Sequence, residues 1–245
     1  KLSANSLKLT QYHDDFTLTG IYIPVFSPSL FPKVNMHGMY QNSMGVANPA
    51  SLNVSYESPP AKFKNSMYGI KASGLMYGFD TSISYFSGYD DLPFMKTTAV
   101  TSAGVDITQV YPEVRVVGFD FAGSIDDIGV WGEFASIHPK EIDYTYTMNG
   151  SVVSSMKVLT EPYLRYTLGC DYSFKEIYIN TQLSHGFFNQ RHVPELSQGG
   201  ELTDVLFIVV EQKLMDEKVL LQVKFGGEFD EFENIGTFFA PEIVY

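Results

Sequence analysis

Residues 163–187, YLRYTLGCDYSFKEIYINTQLSHGF, alternate apolar and polar side chains with a period of two. Leu164, Tyr166, Leu168, Cys170, Tyr172 and Phe174 share one parity, with Arg165, Thr167, Gly169, Asp171 and Ser173 between them. After Lys175 and Glu176 the parity reverses, and Ile177, Ile179, Leu183 and Phe187 become the apolar set. Successive side chains of a strand point to opposite faces, so this pattern specifies a hairpin with one apolar and one polar side. A protein core or lipid tails would each accept the apolar side.

The same pattern recurs along the chain and predicts paired strands at 7–12 with 16–26, 67–76 with 79–88, 107–122 with 128–138, 163–174 with 177–187, and 204–214 with 219–229. A last strand is expected at 236–245, which brings the count to eleven. Turns inside the pairs are short. The connections 27–65, 89–106, 139–161 and 188–203 are long, polar and rich in Pro, Gly, Ser and Asn. LNVSYE at 52–57 is a candidate extra strand, and Asn149-Gly150 is the favoured pair for a type I′ turn.

Strand length bears on the choice between core and lipid. Ordinary strands average about 5–6 residues, whereas tilted membrane-crossing strands need about 9–11, and most segments here are of the longer kind. Aromatics make up 15% of the chain, with Tyr85, Tyr89, Tyr172, Phe174 and Phe187 near strand ends, where interfacial girdles form. The longest apolar run, 205–210, is too short for a spanning helix, so a membrane reading requires a closed barrel. The expectation is therefore an all-β, antiparallel, up-and-down transmembrane barrel, with residues 1–245 as one barrel domain, short periplasmic turns and long external loops. Soluble β-sandwich strands would alternate in the same way, and that remains the competing architecture.

Two features disturb the pattern. Arg115 shares parity with Val117 and Phe119, which places it at a rim, beside a bulge near Pro112, or in contradiction with the assignment. Residues 205–210 are apolar on both faces, which suits a strand covered on its inner side by a plug or loop.

NSMYGIKASGLMYGFDTSISYFSGYDDLP resembles a hairpin of large porin-like outer-membrane barrels of Gram-negative bacteria, and VVGFDFAGSIDDIGVWGEFA, YLRYTLGCDYSF and GIYIPVFSPSLFP are similar to other parts of such walls. The resemblance implies a bacterial outer-membrane location and a longer parent barrel, and it supplies no catalytic residue. The chain reads as processed or cut: Lys1 opens without the basic start and apolar stretch of a signal peptide. Tyr245 with Ile243 resembles the C-terminal signal of such barrels, although Pro241 removes a ladder donor.

In a barrel the polar parity lines the lumen. The candidate lining residues are Lys71, Asp80, Asp120, Glu133, Arg165, Asp171, Asn180, Gln182 and Lys224. Three Gly-x-Asp repeats, at 78–80, 118–120 and 169–171, set a carboxylate near a small residue. They fit relief of crowding with Asp accepting bonds from neighbouring strands, or a lumen field that selects solutes by charge. Acidic pairs at Asp90-Asp91 and Asp126-Asp127, and the run 227–234, read as solvated loop charge.

Other chemistries find little support. A net charge of −12 with only 16 Lys and Arg excludes a nucleic-acid face. A single cysteine excludes an internal disulfide framework and a Cys-based zinc site. Ser184 and His185 point to opposite faces and cannot form a dyad with each other, and His13, His37, His138 and His192 lack metal-ligand spacing. No catalytic residue, metal or cofactor is expected. The expected partners are outer-membrane lipid and small solutes, with a plug or protein partner possible in the lumen. The functional expectation is passive passage of small solutes. A plugged scaffold barrel and a secreted sandwich that binds ligands with its loops are the alternatives.

Overall fold

The computed structural model describes residues 5–29, 52–186, 190–196, 201–215, 218–230 and 233–245. Its strands in chain order are β1 (Leu7–Tyr12), β2 (Phe16–Ile23), β3 (Leu52–Glu57), β4 (Met67–Met76), β5 (Phe79–Tyr89), β6 (Phe94–Thr101), β7 (Gly104–Val110), β8 (Glu113–Ile125), β9 (Ile128–Pro139), β10 (Ile142–Met148), β11 (Ser151–Val158), β12 (Tyr163–Phe174), β13 (Ile177–His185), β14 (Asp204–Leu214), β15 (Val219–Asp230) and β16 (Glu233–Val244). They form two sheets. The larger has eleven strands in the order β1-β2-β4-β5-β8-β9-β12-β13-β14-β15-β16, and the smaller five in the order β11-β10-β6-β7-β3.

Every pair in the large sheet is antiparallel, and its order follows the chain apart from strands diverted to the small sheet. The eleven expected strands are these eleven. The sheet is not closed: β1 and β16 are its margins, so the described residues form an open antiparallel curtain and not the closed barrel, whole or part of a longer one, that was expected. Both margins run from the loop end of the sheet toward the end carrying the tight turns.

Those tight turns follow from local chemistry. Tyr77 and Gly78 (φ 53° and 84°) take the two positive φ values of a type I′ turn, whose twist matches that of the flanking strands, and Asn149 and Gly150 (φ 49° and 80°) do the same between β10 and β11 of the small sheet. Lys175 at the β12–β13 turn also has positive φ.

The long connections hold more structure than their composition suggests. β3, β6–β7 and β10–β11 come from three successive connections at one end of the curtain and combine into the small sheet, with parallel pairing of β10 to β6 and of β3 to β7. LNVSYE is thus a strand of the small sheet and adds none to the large one. The strand expected at 107–122 is two strands in different sheets, divided at Tyr111-Pro112. Proline brings no N–H to a ladder, so the chain changes sheets there.

Register fixes which residues share a face. Ala72, Ile83, Phe119, Phe134, Tyr166 and His185 are successive partners across six strands. Aromatic neighbours touch along this row, with ring centroids 6.2 Å apart for Phe119–Phe134, 6.0 Å for Phe134–Tyr166 and 5.2 Å for Tyr166–His185. The face is open: Phe119 is 44% exposed, Ile83 59% and Val223 37%.

Buried apolar side chains concentrate instead at the loop end, where Val158, Leu159 and Val193 pack with Phe94, Ile142, Tyr144, Met156 and Leu196.

Candidate functional site

The opposite face of the curtain gathers the polar parity. All nine predicted lining residues lie on it, since Lys71 faces Ser84, Ser82 faces Asp120, Asp120 faces Glu133, Glu133 faces Thr167, Asp171 faces Asn180, Gln182 faces Gly169, and Val209 faces Lys224. Arg165 pairs with Ala135 one step toward the loop end, and Asp80 with Ala122 one step toward the turns.

Asp120 is the hub. Its Oδ2 accepts from Lys71 Nζ at 3.1 Å and from the Ser82 hydroxyl. Glu133 stands directly across from it, so two carboxylates meet on one face, a costly arrangement that the Lys71 ammonium offsets. Both partners of the Lys71–Asp120 pair are more than a third exposed, which keeps its contribution to stability small. Two depressions flank the hub. One of about 430 Å³ is lined by Ser84, Gly118, Glu133, Arg165 and Thr167, and one of about 500 Å³ by Lys71, Ser73 and Asp80.

Toward the turn end the face is a weave of hydrogen bonds. Tyr178 donates to Asp171 at 3.4 Å and accepts from Asn180 at 3.3 Å, Gln182 donates to Ser184 at 3.4 Å, and Lys224 to Glu242 at 2.9 Å. Arg165 Nε reaches the Gly186 carbonyl at 2.7 Å.

Two of the Gly-x-Asp repeats share a geometry. A Cβ on Gly118 would come within 2.5 Å of Ser84 Oγ, and one on Gly169 within 2.3 Å of the Trp131 ring. Their aspartates, Asp120 and Asp171, accept bonds from side chains of neighbouring strands. The third repeat differs, because Gly78 sits in a turn at positive φ.

The polar face is not polar throughout. At its loop end Met67, Val114, Val116 and Ile137 line a depression of about 340 Å³ beneath Phe26 and Tyr163. Residues 205–210 carry Val205, Phe207 and Val209 onto it, with Phe207 and Phe238 6.0 Å apart over Gly226.

Asp126 and Asp127 are exposed in the β8–β9 turn as expected of solvated charge, but Asp90, Asp91 and Glu228 need correction. Asp90 is no solvated charge: its Oδ2 receives Arg191 Nε at 3.0 Å and Nη2 at 2.7 Å, and its Oδ1 receives the Leu92 N–H at 3.0 Å. Arg191 also donates to the Leu92 and Pro93 carbonyls at 2.6 and 3.2 Å. Asp91 takes the Ser29 hydroxyl at 2.7 Å. In the run 227–234, Glu228 accepts from Thr203 Oγ1 at 2.8 Å. GYDDLP is thus a clasp that joins three connections at the loop end. Nothing in the sequence marks Arg191 as its partner.

The histidines are placed as rim and turn groups. His13 stacks on Phe16 with centroids 4.4 Å apart, His185 Nδ1 lies 2.9 Å from Asp204 Oδ1, and His138 Nε2 lies 3.0 Å from Ser136 Oγ. His192 lies 3.6 Å from Glu161. Ser184 and His185 do fall on opposite faces, Ser184 bonding Thr167 at 3.0 Å on the polar side. Phe187 and His37 lie outside the described residues. Among the described residues no group of His, Cys, Asp and Glu has the arrangement of a metal site.

No protein-family model matches the chain, and a search of curated proteins finds no significant relative.

Proposed function

We propose that this chain forms wall and mouth of a bacterial outer-membrane β-barrel that passes small solutes, with its polar face lining the lumen and its apolar face in lipid. The observation that carries the reading is the open apolar face. Strands of 10–13 residues in the body of the curtain present Ile70, Ile83, Val117, Phe119, Leu164 and Val223 to the surroundings, each more than a third exposed among the described residues. In water such a continuous apolar surface would far exceed the few hundred Å² that soluble monomers expose. In hydrocarbon it is favourable.

On this reading the small sheet and clasp form an external cap, and Lys71, Asp120, Glu133 and Arg165 set the charge preference of the path beneath it. The apolar patch of Val205, Phe207, Val209 and Phe238 on the inner face supports a second reading, a lumen partly filled by another segment. Planar-bilayer conductance separates the two, since an open path conducts and a filled one does not.

Cys170, the only cysteine and exposed on the apolar face, supplies the test of the membrane reading. In outer-membrane vesicles it should resist a membrane-impermeant maleimide yet react with a lipid-permeable one. Asn180→Cys in a Cys170→Ser background, on the opposite face, should react with the impermeant reagent. Rapid impermeant labelling of Cys170 in the native membrane, or a folded protein soluble without detergent, would overturn the proposal.

A further inference from the structure

Arg115 is the one cation that the alternation places among apolar outward residues, and it has company. At the loop end of the apolar face a row crosses four strands, Tyr68 to Ser87 to Arg115 to His138. One step beyond it lie Lys140 and Glu113, 3.0 Å apart, and Lys64 completes a depression of about 660 Å³ lined by these side chains. Three cations thus face the single carboxylate of Glu113, so the cluster is net +2 with His138 neutral.

That is unusual in this chain, which has only 16 Lys and Arg and a net charge of −12. A lone arginine near a membrane surface would turn its head to water. Cations gathered in one depression repel one another unless an anion joins them. The anion implied has a position as well as a charge, because two residues down the same strands lie Ile70 and Val117, 49% and 44% exposed. A ligand that filled the basic depression would find an apolar track directly beneath it, flanked by Tyr68 and Tyr85 with centroids 6.3 Å apart.

The geometry points to a phosphorylated lipid of the outer leaflet, its phosphates held by Lys64, Arg115 and Lys140 and its acyl chains laid along the Ile70–Val117 track. Guanidinium and ammonium groups donate charge-assisted bonds to phosphate oxygens, and basic pockets at a membrane boundary are suited to such headgroups. The inference rests on the membrane reading above, and it names the lipid that this part of the wall selects.

Native mass spectrometry of the folded protein in detergent, titrated with diphosphorylated lipid A, dephosphorylated lipid A and inorganic phosphate, tests it. The expected result is a one-to-one lipid A adduct that dephosphorylated lipid A does not form. Arg115→Ala and Lys64→Ala should each weaken it about fivefold, and Lys157→Ala, on the small sheet, should leave it unchanged. Arg115→Gln replaces any alanine variant that fails to fold. Equal binding of dephosphorylated lipid A, unchanged binding by both variants, or displacement by inorganic phosphate at comparable concentration would each overturn the proposal. Failure here with Cys170 still shielded by lipid removes this inference alone, whereas impermeant labelling of Cys170 removes the reading beneath it.

Discussion

Arg191→Ala is the sharpest perturbation of the loop end. The side chain is 11% exposed and its partner Asp90 23%, so water screens the pair little. Removing the guanidinium deletes both donors to Asp90 Oδ2 and those to the Leu92 and Pro93 carbonyls. It also deletes the stacking of the cation on Phe94, 5.6 Å from the ring centroid. Breaking a buried pair by removing one partner costs about 3–5 kcal/mol. Asp90 keeps the Leu92 N–H and gains some water, so about 2–3 kcal/mol is expected here. Because the clasp joins connections and not curtain strands, this cost should appear as local opening. Hydrogen exchange of peptides covering 90–96 and 190–196 should accelerate about 30- to 150-fold, while peptides from the middle of β8 and β12 stay protected. The double variant with Asp90→Asn should cost clearly less than the sum of the two singles. Unchanged exchange at 90–96, or strict additivity in the double variant, would refute the claim that this pair holds the mouth together.

Gly169→Ala should destabilise by about 1–3 kcal/mol, because the added Cβ would meet the Trp131 ring at 2.3 Å, and Trp131→Ala in the same chain should recover part of the loss in a urea midpoint. Burial pushes the Glu195 carboxyl up, but hydrogen bonds from the Thr160 hydroxyl and from the backbone N–H groups of Glu195, Thr160 and Leu159 together outweigh it and leave the group below its ordinary 4.5. A carboxylate lowered on folding stabilises above its unfolded value, so this contribution is present at neutral pH and is lost as pH falls below 4.5 through the lowered value. The protection of peptide 190–196, corrected for the intrinsic slowing of amide exchange in acid, should therefore fall at acid pH, and Thr160→Val should weaken that dependence. For a conducting lumen, Lys71→Glu should shift the reversal potential in a salt gradient toward cations, and an unchanged potential would take Lys71 out of the path.

The curtain was legible because its signal is local. A period of two needs only neighbouring residues, and one buried or lipid-facing side fixes the register, so the parity that set Lys71, Asp120, Arg165 and Lys224 apart from Phe119 and Val223 carried through eleven strands. Arg115, anomalous by parity, sits near the loop end of its strand, two residues past Glu113. What stayed hidden depends on distance along the chain. The small sheet pairs β3 with β7 and β10 with β6, segments some fifty residues apart; β6, β10 and β11 read as loop, and β3 and β7 read as strands with no sign of the sheet they join. Asp90 and Arg191 are 101 residues apart, and a charge pair carries no periodic trace. The 107–122 stretch misled because alternation continues through Pro112 while the missing donor ends the ladder. Closure was unreadable for another reason: alternation reports which way side chains face and nothing about what lies beyond a sheet's margins.

An odd tally of large-sheet strands among the described residues leaves β1 and β16 pointing the same way. Bent round to meet, they could join only side by side in parallel, and a second copy in the same orientation would create two such seams. A wholly antiparallel ring through this wall therefore takes one, three or some other odd number of intervening strands, each opposing its neighbours. That arithmetic restricts the admissible assemblies before any pore is measured.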